Sequence, residues 1–378
     1  KLLWTTQLIK ELNNIESECM KKSGNLYKLE GANPWSGIAV DQERGIVFIT
    51  TGDARGENNK RPGDNLYSNS IVAIDILKGE IIWSFQEVNH DVWDLDISAP
   101  PIVTSITRSN KKIDVVIAVT KLGNTIILDR LTGKPIYPFR YIRTATPLDK
   151  LKYTSAYFPD PLIPEPFVKS KRLNSNDIRI QSNAINLNLA FPPSYPSPKK
   201  ESLVFGTNGG AEWPGASVDP FSEIMYVASN NFYFLFPSFK PFLGADGNPG
   251  NTPPWGLLTA LNLKSGKIIW SVPLGIDIDK LSKNLLFFGT KNLCGPVATA
   301  GGLVFCGGTT DKLFRAFDKD NGKELWSHEL PAYGSAPPSI YQVNGKQYII
   351  IPATGGINGT LHEKKHDSSD SFVVFTLP

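Results

Sequence analysis

Hydrophobic positions fall in short runs separated by Gly, Pro, Asn and Asp. Ile46-Val47-Phe48-Ile49-Thr50, Val115-Val116-Ile117-Ala118-Val119, Ile224-Met225-Tyr226-Val227-Ala228 and Leu303-Val304-Phe305 are rich in β-branched and aromatic residues and short enough to predict strands. Each run precedes one phrase, written four times in a single spacing. A small or apolar residue is followed two positions on by Asp or Asn, then four on by Gly, then four on by an aromatic. The copies are Ala73, Asp75, Gly79, Trp83; Ile127, Asp129, Gly133, Tyr137; Ala260, Asn262, Gly266, Trp270; and Ala316, Asp318, Gly322, Trp326. Each copy predicts a strand, a Gly turn and a second strand whose aromatic packs sideways into the next copy. Trp4 reads as the tail of a further copy whose first strand is absent.

Units of four short antiparallel strands repeated around an axis are β-propeller blades, and radial repetition protects sheet edges. The pattern predicts an all-β propeller with about five blades. A sandwich or a pair of barrels is the alternative, but neither calls for a docking aromatic in constant register. The chain reads as one partial propeller domain over residues 1–378. Irregular, Pro-rich insertions interrupt it at about 141–200 and 232–254. The second contains Phe232, Tyr233, Phe234, Leu235 and Phe236, read as an inner strand running into a packed loop rather than a cover over a mouth.

Composition narrows this little. The 32 Gly and 29 Pro against 2 Met agree with many turns and few long helices. A balance of 39 Lys+Arg to 36 Asp+Glu argues against a nucleic-acid partner. No apolar run is long enough to span a bilayer. Of Cys19, Cys294 and Cys306, the last two flank a hairpin near Gly301-Gly302 and are either disulfide-bonded or two buried thiols.

The densest chemistry is Asn89-His90-Asp91-Val92-Trp93-Asp94-Leu95-Asp96. On a strand, alternation sends His90, Asp94 and Asp96 to one side. Composition alone reads this as an acidic surface loop, with a metal or general-base site as the alternative. His328, His362 and His366 lack metal-ligand spacing and read as surface residues. No phosphate-binding Gly loop, nucleophile elbow or Cys-x-x-Cys-His haem motif is present.

The segment from His90 through Asp96, then Ser98-Ala99-Pro100-Pro101 and Thr120-Lys121-x-Gly123-Asn124, resembles the pyrroloquinoline quinone (PQQ) dependent dehydrogenases, eight-bladed propellers with a cofactor at the funnel mouth. Gly31-Ala32-Asn33-Pro34-Trp35, Thr51-Gly52-Asp53, Gly63-Asp64-Asn65-Leu66-Tyr67, Gly209-Gly210-Ala211-Glu212-Trp213 and Gly295-Pro296 are similar to that family in the same order. The tail, from Leu330-Pro331-Ala332 to Asp370–Pro378, most resembles the quinoprotein glucose dehydrogenase branch, which ranks a sugar, cyclic polyol or secondary alcohol above methanol.

The resemblance implies roles. Asp94 falls at the catalytic base, with Asp91 and Asp96 as competitors; a carboxylate suits removal of a hydroxyl proton. Lys121 falls where a cation sits against the quinone oxygens. Trp35 corresponds to the floor beneath the planar cofactor. Asp53 stands where many relatives carry an Asn metal ligand, so Asp53 and Asp94 are the implied ligands of Ca²⁺ (or Mg²⁺). Glu212 and Trp213 match the far pocket wall, Glu212 accepting a substrate hydroxyl or pairing with an Arg. Asn230 is a further cofactor-contact candidate, and Asn65 a turn residue. The resemblance also implies a ubiquinone or cytochrome electron acceptor and a periplasmic location, and leaves open whether an upstream part anchors the protein in the inner membrane. Since five blades do not close an eight-bladed ring, the chain reads as a C-terminal portion. The rival expectation is a non-catalytic propeller scaffold of the bacterial envelope.

Overall fold

The computed structural model describes residues 1–8, 31–54, 64–138, 140–143, 157–160, 163–168, 178, 202–205, 208–236, 238, 240–276, 288–355 and 369–377. Among them all regular structure is strand. The first sheet is an antiparallel meander of β1 (Ile38–Asp41), β2 (Ile46–Thr50), β3 (Ser70–Asp75) and β4 (Ile81–Gln86). The second contains β5 (Ile102–Arg108), β6 (Lys111–Val119) and β7 (Thr125–Asp129). A small pair, β8 (Tyr141–Arg143) and β9 (Tyr157–Pro159), falls within the first predicted insertion, most of which, like Cys19, His362 and His366, lies outside the described residues. Next come β10 (Ser202–Val204), β11 (Ala216–Asp219), β12 (Ile224–Asn230), β13 (Phe234–Phe236), β14 (Lys240–Pro241), β15 (Gly256–Asn262) and β16 (Lys267–Pro273). Of these, β11-β12-β15-β16 form the third blade and β10-β13-β14 a satellite sheet. The fourth blade is β17 (Val297–Ala298), β18 (Leu303–Cys306), β19 (Leu313–Asp318) and β20 (Glu324–Glu329). The fifth is β21 (Ser339–Val343), β22 (Lys346–Ala353) and β23 (Ser371–Thr376).

The leading strands of neighbouring blades approach one another, β1 to β5, β5 to β11 and β11 to β17, so they lie innermost. The propeller expectation is met, with five successive blade sheets. Phe232, Tyr233, Phe234 and Phe236 are buried, so that apolar cluster is packed core. Cys294 and Cys306 are joined in a disulfide, which settles the alternative left by their spacing.

The repeated phrase is explained position by position at the seams. The small residue faces the aromatic across the hairpin: Ala73 pairs with Trp83, Ala260 with Trp270 and Ala316 with Trp326, and a register shift follows each Ala. That bulge turns the indole toward the next blade. There it lies over the phrase's Gly. A Cβ on Gly79 would stand 2.5 Å from Trp4, one on Gly133 2.6 Å from Trp83, and one on Gly322 2.7 Å from Trp270. The indole N–H then donates to the carbonyl just after the conserved-register Asp: Trp4 to Ile76 (2.9 Å), Trp83 to Arg130 (3.1 Å) and Trp270 to Lys319 (3.1 Å). Where that residue is cationic, its side chain reaches back to the Asp that ends the previous blade's first strand. Arg130 pairs with Asp41 at 2.9 Å and Lys319 with Asp219 at 2.8 Å.

The second copy departs from the expected hairpin. After β7 only a single bridge, Leu128 to Pro135, replaces a fourth strand. Pro135 and Pro138 remove backbone donors that a ladder needs. Tyr137 still serves the seam, its hydroxyl donating to the carbonyls of Leu263 (2.8 Å) and Lys264 (2.7 Å).

Candidate functional site

In an antiparallel meander, the loop that leads into a blade's first strand and the loop joining its second and third strands emerge at the same end. From the lead-in loops come Trp35 (before β1), Asp94 and Asp96 (before β5) and Glu212 (before β11). From the inner connections come Asp53 (after β2) and Lys121 (after β6). These six residues line one cavity of about 670 Å³, together with Gly52 and the Gly31–Asn33 segment. That volume suits a cofactor- or drug-sized ligand.

Lys121 organises the cavity. It is buried, and its ammonium donates to Asp96 Oδ1, to the Asp94 carbonyl at 3.2 Å and to Asp94 Oδ2 at 3.4 Å. The other oxygen of Asp96 accepts the Trp35 indole N–H at 2.9 Å. A continuous chain therefore runs Trp35, Asp96, Lys121, Asp94. Trp35 is 48% exposed, so a broad indole face stays open while its edge is anchored. The backs of the loops interlock. Ala211 N donates to the Thr120 carbonyl (3.1 Å), Ser98 Oγ donates to the Ala211 carbonyl (3.0 Å), and a Cβ on Gly210 (φ +64°) would stand 2.1 Å from the Lys121 carbonyl. Only a glycine allows that approach.

The three neighbouring aspartates separate by environment. The segment over 89–96 is a buried irregular loop, with His90 1% and Trp93 0% exposed, so the reading as an acidic surface loop is corrected. Asp91 is spent on holding that loop. It accepts from Trp93 N (2.8 Å), Leu95 N (2.7 Å) and Asn69 Nδ2 (2.9 Å). Burial first, then the charge of Asp53, push its carboxyl up to about 7 against those hydrogen bonds. Asp96 has both oxygens engaged. Asp94, in the left-handed region at φ +63°, has the more open carboxylate, its side chain 21% exposed. Asp is among the residues that adopt this conformation most readily.

Electrostatics set the two ends of the cavity apart. Burial works to lower Lys121, but Asp96, Asp94 and Glu212 outweigh it and hold the ammonium above its ordinary value. Glu212 is 8% exposed and its Oε1 has no hydrogen-bond partner. Burial raises its carboxyl to about 8, opposed by Lys121 and Lys291 and reinforced by Asp96 and Asp94.

Trp213 and Asn230, expected at the cofactor, are not among the cavity-lining residues. The amide of Asn230 is consumed by a loop: Nδ2 donates to the Asn292 carbonyl (2.8 Å) and Oδ1 accepts Asn292 N (2.9 Å). Asn230 therefore holds other residues in place. Asn65 has φ +54°, as a turn residue. Sequence reasoning missed Lys291, buried at 7% exposure and acting electrostatically on Glu212. Nothing in its immediate neighbours marks it; only the lead-in position before β17 does, the fourth in the series begun by Trp35.

The residues present suit a flat, anionic or quinone-like group: an exposed indole face, a buried ammonium and an orphaned buried carboxylate oxygen converge on one cavity. For a metal they are less complete. Among the described residues no cluster of three or more His, Cys, Asp or Glu forms a ligand set, so Asp53 and Asp94 are at most part of one.

Fold and mouth together define a β-propeller with a built small-molecule pocket. The profile of the family described as "PQQ: Glucose/ethanol/alcohol dehydrogenase, beta-propeller domain" matches residues 1–240 and 235–349, and the chain belongs to that family. It is 30% identical to the quinoprotein glucose dehydrogenase of Escherichia coli K12, over 93% of this chain and 50% of that protein. It is also 30% identical to the glycerol dehydrogenase large subunit of Gluconobacter thailandicus, over 97% of this chain and 57% of that protein. The chain thus spans about half the length of the curated relatives it matches. The crystal structure of quinohemoprotein alcohol dehydrogenase from Comamonas testosteroni shares the fold, with a TM-score of 0.58, 22% identity and coverage of 85% of this chain and 44% of that one.

Proposed function

We propose that the cavity at the propeller mouth is the PQQ site of a dehydrogenase acting on a sugar, polyol or other alcohol. The observation that carries this reading is the Trp35, Asp96, Lys121, Asp94 chain, in which the anchored indole, the buried cation and the most open of the three loop aspartates share one cavity. PQQ held against Trp35 supplies a two-electron acceptor for the carbon-bound hydrogen of the substrate. Trp35 sets the plane of the bound ring system, since Asp96 fixes the indole edge. Asp94 accepts the substrate hydroxyl proton on its free oxygen. Lys121 keeps a fixed positive charge beside the acceptor, where a low local dielectric strengthens it. Glu212 offers Oε1 to a hydroxyl on the opposite side. Asp53 and Asp94 would contribute oxygens to Ca²⁺ or Mg²⁺, completed by residues beyond this chain or by water. A scaffold gains nothing from burying a lysine and two carboxylates around an open indole.

The full-length protein is proposed to carry further blades that complete the ring, to work in the periplasm and to pass electrons to ubiquinone or a cytochrome. Reconstituting it with PQQ and Ca²⁺, then following dye reduction over aldoses, polyols and simple alcohols, tests the reading. Substrate-dependent reduction that requires PQQ is expected; none with any substrate, despite bound PQQ, would refute it.

A further inference from the structure

Two segments carry the groups at the centre of the cavity: the lead-in loop before β5, with Asp94 and Asp96, and the short turn between β6 and β7, with Lys121. Their tips meet in the ion pairs of Lys121. Their roots meet at Glu87, the first residue after β4, which is completely buried. Glu87 Oε1 accepts the Thr120 hydroxyl (2.9 Å) and the Asn124 side-chain amide (2.6 Å), the two ends of the turn that holds Lys121. The turn is also closed on itself. Thr120 N donates to the Asn124 carbonyl (3.1 Å), Gly123 N to the Thr120 carbonyl (2.9 Å) and Asn124 N to Thr120 Oγ1 (3.3 Å). A buried carboxyl is costly unless hydrogen bonds replace its hydration, and here the donors come from the turn itself.

The same root reaches the other half of the site. Glu87 N donates to the Asn69 carbonyl (2.8 Å), and Asn69 Nδ2 donates to Asp91 Oδ2 (2.9 Å). Asp91 in turn holds Trp93 N and Leu95 N, on either side of Asp94. Asn69 N donates to the carbonyl of Gly52, beside Asp53, at 3.0 Å. The backbones that present Lys121, Asp94 and Asp53 are therefore all tied to one buried junction.

We propose that Glu87 is a positioning residue for the reaction: by fastening the Lys121 turn to the root of the Asp94 loop, it keeps the ammonium in register with Asp94, Asp96 and the ring system bound against Trp35. This rests on the dehydrogenase reading above and adds a residue to the same site. Glu87 is not among the residues that line the cavity, so its effect on the reaction passes through Lys121. A displacement of about 1 Å at a reacting centre can cost about a hundredfold in rate.

The test uses the full-length PQQ holoenzyme and, for hydrogen exchange, the same protein without PQQ. Glu87→Leu should lower kcat by about ten- to a hundredfold with KM changed by less than about threefold, while Glu87→Gln, which keeps an acceptor oxygen, should recover most of the loss. Thr120→Val removes one of the two donors and should give a smaller loss of the same kind; it serves alone if Glu87→Leu does not fold. Amide exchange at Gly123 and Asn124 should quicken in either variant. In a Lys121→Met background, Glu87→Leu or Thr120→Val should cost less than about threefold further in residual turnover, because the residue through which they act is gone. The absorption of bound PQQ should shift in Glu87→Leu in the direction seen for Lys121→Met. A kcat equal to wild type in Glu87→Leu or Thr120→Val, unchanged exchange at the turn, or an undiminished loss in the Lys121→Met background overturns this inference and leaves the dehydrogenase reading standing. A wild-type holoenzyme that oxidises no alcohol despite bound PQQ overturns that reading and this inference with it.

Discussion

The two ends of the blade sheets are built by opposite rules. At the outer hairpin turns a motif repeats, and packing accounts for every member: Ala makes room, Gly receives the indole, Asp ties the turn, and the following carbonyl takes the indole N–H. At the mouth nothing repeats. Successive loops contribute Trp35, Asp94, Asp96 and Glu212, charged or aromatic groups held by contacts between blades. Repetition marks the positions that stability requires, and its absence at the mouth marks positions released for chemistry.

Substitutions at the two ends should therefore separate activity from stability. The largest effect is expected for Asp94→Asn, which should lower kcat of the full-length enzyme by roughly 10²–10⁴ through loss of the proposed base, with PQQ affinity and melting temperature little changed; steady-state dye reduction and cofactor titration measure this. Lys121→Met breaks the comparison by affecting both. It strands Asp96 beside Glu212, so denaturant unfolding should show a loss of about 3–5 kcal/mol along with activity. At the turn end, Trp83→Ala should cost about 3 kcal/mol in the same assay by emptying the seam over Gly133.

A smaller effect follows from Asp219. Burial alone raises its carboxyl, but hydrogen bonds from Lys319, Phe221 N and Ser222 outweigh it and lower it to about 2 from 3.8. A depressed carboxylate contributes stability above its unfolded value and loses it as pH falls toward the folded one. Asp219→Asn should thus be less stable by about 2 kcal/mol above pH 4, with the difference fading between about pH 4 and 2. The smallest effect belongs to Trp326→Ala, expected at about 1 kcal/mol. This indole is 40% exposed and packs on Phe314 and Phe375. A cost equal to that of Trp83→Ala would show that the glycine seat is not what makes a docking aromatic valuable.

Strand runs, Gly turns and docking aromatics were legible along the chain because each is set by neighbours a few residues away; even Trp4 was readable as one of the docking aromatics, and it lies over Gly79. Family resemblance singled out Trp35, Asp94 and Lys121, which the fold gathers into one cavity. Local order failed where Pro135 and Pro138 replaced a fourth strand, and where a run of carboxylates that suggested a surface proved buried. Tertiary structure alone assigned Asp91 to the loop backbone, Asp96 to the lysine and indole, and Asn230 to the Asn292 clamp. The physical reason is one of range. A turn or a strand is decided by its own dihedrals and nearest side chains, whereas the ionisation and partners of a buried charge depend on groups from other blades, and those meet only when the sheets pack around their axis.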